Sequence, residues 1–444
     1  MTGIRRFAPK LARQLITAAV AALLGAAAHA QGLVELYEAA RAYDATYLAA
    51  RAQADAAEYR AAQADALALP FVSANVKGVS AQVDLPRGRS GDNNALQGGF
   101  SGRMPLFNRA NQATIEQAQR SLIASKAELE AAEQDLIIRL TQAYFDVLSA
   151  KDDVELAKAN KAYILEQLAS AKRNFEVGTA TITDAREAQS RADLAAAQQI
   201  AAENALLNRS IALAYLVGRR GIEPLPLVTP VVLPTVQPAN VEEWVTVADT
   251  VHPQVTRARV ALEVARLEID KAKAGLLPTI DAVAALNANK ATGDSIIPGT
   301  TRSGSVGVEL NWPIYTGGAV SSRISETVAL EQSSREAFEN ARRTVAQNTR
   351  VAYFGVQSGE ALVKALEAAE ASSRLSLEAT QLGYKVGVRV NIDVLNAQTQ
   401  LFQTQRDLFK SRYDVLVNSL RLRQASGQLT PYDLLAVNSL LARP

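Results

Sequence analysis

The sequence predicts a mostly α-helical chain that also lends strands to a membrane β-barrel, in two tandem structural repeats. Three observations predict it. One order of segments is written twice at a near-constant offset, two stretches of helical length lack proline, and four short runs alternate apolar with polar residues.

The duplication is visible residue by residue. Phe175-Glu-Val-Gly-Thr-Ala-Thr-Ile-Thr-Asp184 recurs as Tyr384-Lys-Val-Gly-Val-Arg-Val-Asn-Ile-Asp393, so Gly178 answers Gly387 across 387 − 178 = 209 positions. Ala-Tyr144-Phe145 returns as Ala-Tyr353-Phe354 at the same offset, and Pro70 and Pro105 answer Pro278 and Pro313 at 208. A solenoid repeat is about 20–50 residues, so the repeated unit here is a whole substructure. The predicted organisation is a first repeat over 31–218, a Pro-rich linker over 219–240, a second repeat over 241–427 and a tail over 428–444.

Residues 1–30 read as an export signal. Arg5, Arg6, Lys10 and Arg13 precede an apolar run from Leu15 to Ala28. Ala28 and Ala30 fit a small-x-small cleavage site, which places the mature start at Gln31. The run is shorter than the ~20 residues a bilayer helix needs. The chain has no Cys, which excludes disulfides, a lipidated N-terminal Cys and Cys-based zinc sites. Two His leave little for a His-based metal centre, so neither metal nor cofactor is expected. Net charge is +2 from 47 basic and 45 acidic residues, a balance that offers nothing to nucleic acid. Phosphate loops, nucleophile elbows and paired metal motifs are missing, so no enzyme activity is expected.

The long helices come next. From Asn111 to Gly178 there is no proline and no internal glycine, and Ile115, Leu122, Leu129 and Leu136 fall at seven-residue steps. That period makes helices coil around partners. The second copy runs from about Val320 to Gly387. Each has two shorter companions, Leu33–Leu69 and Thr183–Val217 in the first repeat, Val241–Leu277 and Ile392–Ser426 in the second. Gly178 and Gly387 end the long helices where a left-handed cap is expected, and each chain reversal makes an antiparallel hairpin.

The strands are predicted near 71–83, 97–104, 280–289 and 304–312. Val72, Ala74 and Val76 alternate with Ser73, Asn75 and Lys77; Val306, Val308, Leu310 and Trp312 alternate with Ser305, Gly307, Glu309 and Asn311. One apolar and one polar face at this length suits a tilted transmembrane strand of about 9–11 residues. Loops are expected at Asp84–Asn94 and Lys290–Arg302. A soluble four-stranded sheet has the same alternation. If the strands do span, one chain cannot close a barrel, because such barrels begin at about eight strands and an open edge cannot sit in lipid. Two chains give eight strands and a filled interior; three give twelve and a lumen.

Taken together, these residues resemble the TolC family of outer-membrane channel-tunnels over essentially the whole mature chain. The resemblance rests on the duplication, on Val-Gly at both hairpin tips, on Leu-Pro before the first strand of each repeat, and on Trp312-Pro-Ile-Tyr-Thr-Gly-Gly318. Leu33-Val-Glu-Leu-Tyr-Glu-Ala-Ala-Arg-Ala-Tyr-Asp-Ala-Thr-Tyr47 also looks like the family's mature start. The resemblance implies a homotrimer with a 12-stranded β-barrel in outer-membrane lipid, continued by an α-helical barrel through the periplasm of a Gram-negative cell. It implies a passive duct, docked to a periplasmic adaptor (membrane fusion protein) and an inner-membrane ABC or RND transporter, for type I protein secretion or multidrug efflux. Some members carry a lipid on an N-terminal Cys, and this chain departs from them.

The resemblance also implies site residues. Tyr384, Arg389 and Arg412 would latch to Thr183 and Asp184, within or between chains; Asp393 would ring the pore constriction, with Asn396 where the family has a second acid. Val177, Gly178, Thr179, Val386, Gly387 and Val388 would be the adaptor-docking tips. Capping is the alternative reading for Thr183, Asp184, Asn391 and Asp393, which stand where helices begin. Residues 219–240, with the tail, would form an equatorial collar. The competing functional class is a periplasmic or surface coiled-coil scaffold or adhesin without a channel.

Overall fold

The computed structural model describes residues 32–85, 89–228, 231, 236–293 and 299–442. The expected cleavage residues Ala28, Ala30 and Gln31 lie outside them, as do Pro230 and Pro234 of the linker. In chain order the elements are α1 (Leu33–Tyr43), α2 (Ala45–Asp65), a 3-10 turn (Ala66–Ala68), β1 (Phe71–Leu85), β2 (Arg89–Phe107), α3 (Arg109–Glu176) and α4 (Ile182–Val217). The second repeat gives α5 (Val241–Val251), α6 (Pro253–Ala274), β3 (Thr279–Gly293), β4 (Gly299–Asn311), α7 (Ala319–Lys385) and α8 (Asn391–Ala425), and α9 (Pro431–Asn438) follows. The two repeats thus have the same element order.

The chain divides into two compact units. One comprises Met1–Leu48, Ala132–Ala248 and Gln347–Pro444; the other comprises Ala49–Ala131 and Asp249–Ala346.

The first unit is helical. Leu136, Leu140, Tyr144 and Leu148 recur every four residues on α3 and are buried, with Leu33, Leu36 and Tyr37 of α1, Leu213 of α4 and Leu416 of α8. Burying each such side chain is worth roughly 1.5–3 kcal/mol. Tyr144 Oη donates to Leu225 O at 3.1 Å, and Tyr353 Oη donates to Ala239 O. Both repeated Ala-Tyr-Phe segments therefore hold carbonyls of the linker, and each Tyr meets its neighbouring Phe edge-on at 5.5 Å. The linker also pairs with the tail, Val228 N to Leu440 O at 2.9 Å and Ala442 N to Pro226 O at 2.8 Å.

The expected single helix over Leu33–Leu69 is broken at Asp44, whose ψ of 115° is extended. Asp44 Oδ1 accepts from Tyr47 N at 2.8 Å and so caps α2. Arg139 bonds both Asp44 oxygens at 3.0 Å, which holds the carboxyl below its ordinary range. The helix expected over Val241–Leu277 breaks at the equivalent place. His252 precedes Pro253, a position where helical backbone is disfavoured, and its Nδ1 accepts from Gln254 N at 3.1 Å.

The second unit carries the sheet. Its order is β1-β2-β3-β4, antiparallel throughout. The register keeps faces apart. Ala74↔Phe100↔Leu286 and Ile280↔Leu310 put apolar side chains on one face. Ser73↔Ser101 and Arg103↔Val283 belong to the other, where Ser73 and Ser101 hydroxyls bond at 2.8 Å and Arg103 pairs with Asp281 at 2.5 Å. Val76 and Val306 are 80% and 90% exposed. An apolar face this continuous is the mark of a surface meant for lipid or protein. The strands run on through residues expected as loop, because pairing continues to Leu85↔Arg89 and Ala291↔Gly299. Polar strand ends in this register keep their ladder bonds, and side-chain polarity alone does not end a strand.

Candidate functional site

The two hairpin tips are built alike. Gly178 and Gly387 have φ of +79° and +80°, the left-handed region where a side chain is strained. Thr179 N bonds Asn174 O at 2.8 Å, and Val388 N bonds Gly383 O at 2.9 Å, the six-to-one closure of a helix C-terminus. Each glycine's own N–H reaches back three residues, to Phe175 O and Tyr384 O. Val177, Val386 and Val388 project from these turns and are exposed, as is Thr179. A Cβ at either glycine would meet nothing within 4 Å, so space is open around both tips within the chain.

The helix that leaves the first tip is capped by Thr181, two residues before the expected Thr183. Thr181 Oγ1 accepts from Asp184 N at 3.2 Å, and Asp184 Oδ2 accepts from Thr181 N at 3.0 Å and Thr181 Oγ1 at 2.8 Å. This reciprocal box satisfies two otherwise free N–H groups. Asp184 is therefore part of the cap, while Thr183 is exposed outside it. The second tip differs. Its cap position is Val390, which has no side-chain acceptor, and Asn391 in the next position is buried with both side-chain polar atoms unpartnered in the chain. Asp393, in the first turn of α8, pairs with Arg389 of the tip turn at 3.6 Å.

Within one chain, the residues of the implied latch are engaged as follows. Tyr384 Oη accepts from Asn174 Nδ2 at 3.2 Å, Arg389 holds Asp393, and Arg412 binds Glu367 at 2.8 Å. Asn396 Oδ1 accepts from Arg191 Nη2 at 3.1 Å. Gln381 Nε2 donates to Tyr163 Oη at 2.8 Å. Sequence reasoning missed Asn174, Arg191, Tyr163 and Gln381. Arg191 had a signal, because it flanks the small buried stripe Ala185, Ala188, Ala192 and Ala195; its pairing with Asn396 across the hairpins had none.

Farther from the tips, Tyr413 Oη donates to Asp152 at 2.6 Å, with Phe145 stacked on the Tyr413 ring at 5.4 Å. Burial pushes the Asp152 carboxyl up, against the lowering effect of that bond, and burial pushes the Tyr413 hydroxyl up as well. No described helix is long and apolar enough to cross a membrane.

The comparisons follow the duplication. The family model "Outer membrane efflux protein" matches residues 36–219 and again 244–428. Outer membrane protein TolC of Vibrio cholerae is 29% identical over 432 residues, spanning 96% of this chain and 97% of that protein. Alkaline protease secretion protein AprF of Pseudomonas aeruginosa is 30% identical over 335 residues, 75% of this chain and 69% of that protein. Among solved structures, the outer membrane protein VceC of Vibrio cholerae superposes with a TM-score of 0.76 at 20% identity, covering 89% of this chain and 96% of that one. At that identity the likeness speaks for the fold.

Proposed function

Because the chain belongs to the outer membrane efflux protein family, we infer that three copies form an exit duct across the outer membrane and into the periplasm, serving secretion or efflux. The observation that carries this is the four-stranded sheet with one apolar face. Its outer strands, β1 and β4, have no further partner among the described residues. Only closure with other copies satisfies those backbone groups in lipid, and three copies supply the twelve strands that leave a lumen.

The finer reading is as follows. The duct is passive, and its substrate is whatever the inner-membrane transporter delivers. A periplasmic adaptor docks on Val177-Gly178-Thr179 and Val386-Gly387-Val388. Asp393 forms a ring of three carboxylates at the periplasmic constriction, where like charges favour cations. Asn396 leaves that ring single. The latch of Thr183, Asp184, Tyr384, Arg389 and Arg412 acts in its between-chain form, which an Arg fork reaching a carboxylate of a neighbouring copy suits. No chemistry is needed for any of this, in keeping with a family of channels.

Export tests the docking assignment. Gly387→Trp should abolish export while the trimer stays intact, because it adds bulk to the docking face at a position where a Cβ meets nothing within 4 Å, at the cost of backbone strain in the tip turn at φ +80°. Normal export by an assembled Gly387→Trp trimer would remove the tips from the adaptor interface.

A further inference from the structure

We propose that the apolar face of the sheet carries a site for lipid A, the phosphorylated, acylated glycolipid of the outer leaflet. Lys290 and Arg302 hold its phosphates, and a glycine-floored groove beside Arg302 takes an acyl chain. The proposal rests on the reading of that face as meeting outer-membrane lipid, and it names one lipid and the residues that hold it.

The two cations stand at one level of that face. All four strands meet helices at one end, while β1–β2 and β3–β4 are joined at the other. With the helices in the periplasm, the joined ends face outward. The register sets Gly78↔Leu96↔Lys290↔Thr300 in one row, on the face of Phe100 and Val306, and sets Arg302 opposite Ala288. Lys290 and Arg302 are therefore diagonal neighbours, roughly 7–8 Å apart. From that row to the helices they are the only charged residues on the face. The nearest acid of that register among the described residues, Asp92, lies 96 − 92 = 4 positions farther out along β2. Lys290 and Arg302 are exposed, and neither makes an ion pair among the described residues, whereas Arg103 on the opposite face holds Asp281.

The height of the face fits that level to lipid headgroups. Trp312, just past β4, continues the alternation of Val306, Val308 and Leu310 and is more than half exposed. It stands 312 − 302 = 10 residues from Arg302. At about 3.4 Å per residue and a tilt of about 40°, that is roughly 26 Å. The lipid-facing band of such barrels is about 25 Å tall, with aromatic residues at its edges. With Trp312 at the periplasmic edge, Arg302 lies at the outer one, where a long basic side chain keeps its stem in apolar surroundings and its charge at the headgroups.

The shape of the face supplies the rest. A groove of about 430 Å³ is lined by Phe100, Leu286, Ala288 and Arg302, with Gly98 and Gly304 at its floor. A second groove of about 510 Å³ shares Phe100, Leu286 and Gly304 and continues past Ala284 and Val306 toward the helices. The trough is apolar along its length and cationic at its outer mouth. A guanidinium presents paired donors that match phosphate oxygens. Such a trough suits a ligand in which phosphate and acyl chain are joined, and two cations on one level suit a headgroup with two phosphates.

Native mass spectrometry of the purified trimer, with lipid A added in detergent, tests the site, and the same spectrum reports whether each variant is still a trimer. Lys290→Ser and Arg302→Ser should each weaken lipid A binding roughly fivefold, the worth of one cation near an anionic surface, and the double variant should lose more. Lys77→Ser, which removes a cation at the neighbouring level of the opposite face, should change nothing. Lipid A stripped of its phosphates should bind wild type and double variant alike. An equal loss in Lys77→Ser, unchanged binding by the double variant, or equally tight binding of phosphatidylglycerol would overturn the assignment. A trimer that binds lipid A as expected but never conducts in a planar bilayer keeps the site and sinks the duct. A conducting trimer whose lipid A binding ignores both cations keeps the duct and sinks the site.

Discussion

Asp152 shows how a single side chain can work against the fold that holds it. Burial raises its proton affinity in the folded chain, even though Tyr413 donates to it. A carboxyl with a raised folded pKa binds its proton more readily when folded, so its contribution to stability falls as pH rises through that range. Asp152→Asn keeps an acceptor for Tyr413 and cannot ionise. It should raise the melting temperature near neutral pH and have little effect near ~pH 3, where the carboxyl is protonated in either state. Thermal melts at the two pH values check this, and an equal shift at both would contradict it. Asp44 has the opposite sign: Arg139 lowers its pKa, so its contribution is present above the usual carboxylate range and is lost as pH falls through the folded value. At the first tip, Thr181→Ala should cost about 1 kcal/mol, the usual worth of an N-cap, measured by denaturant unfolding. The sequence places Thr183 and Asp184 at the helix start, which is right to within a turn. It does not say which hydroxyl caps, because Thr181 and Thr183 both stand near the start and only backbone direction separates them.

The elements were legible to different degrees, for physical reasons. The long helices and their glycine ends could be read closely, since absence of proline and a glycine at the C-terminus are backbone facts. The breaks at Asp44 and His252 were missed in both repeats. Alanine-rich helix continues across Asp44 by propensity, and Arg139, the residue that holds it, is 95 positions away. His252-Pro253 carried the signal in its proline. The strands were placed but cut short, because polar residues at their ends read as loop while the ladder runs on. Their apolar face makes its own prediction. Val306→Lys should cost roughly 2–4 kcal/mol if the residue sits near the bilayer midplane. Ser305→Lys, on the opposite face, should cost far less. Refolding of both variants into lipid vesicles measures the difference, and equal costs would mean that face does not meet lipid.

At the scale of the whole molecule, duplication is what made the chain readable. Each feature of one repeat could be checked against the other, and the linker carbonyls bound by Tyr144 and Tyr353 continue that symmetry where the sequence showed only Ala-Tyr-Phe twice. The cross-hairpin bonds were not legible, because no spacing links Arg191 to Asn396 or Asn174 to Tyr384. Such pairings arise from how the two hairpins pack, which is the level at which local pattern carries least. The proposed assembly is three chains closing one gated duct. The most direct test is single-channel conductance of the purified trimer in a planar bilayer, wild type beside Arg389→Ser. A gated trimeric duct should show a small, cation-preferring conductance that rises in the variant. A folded, oligomeric protein that conducts in neither form would contradict it.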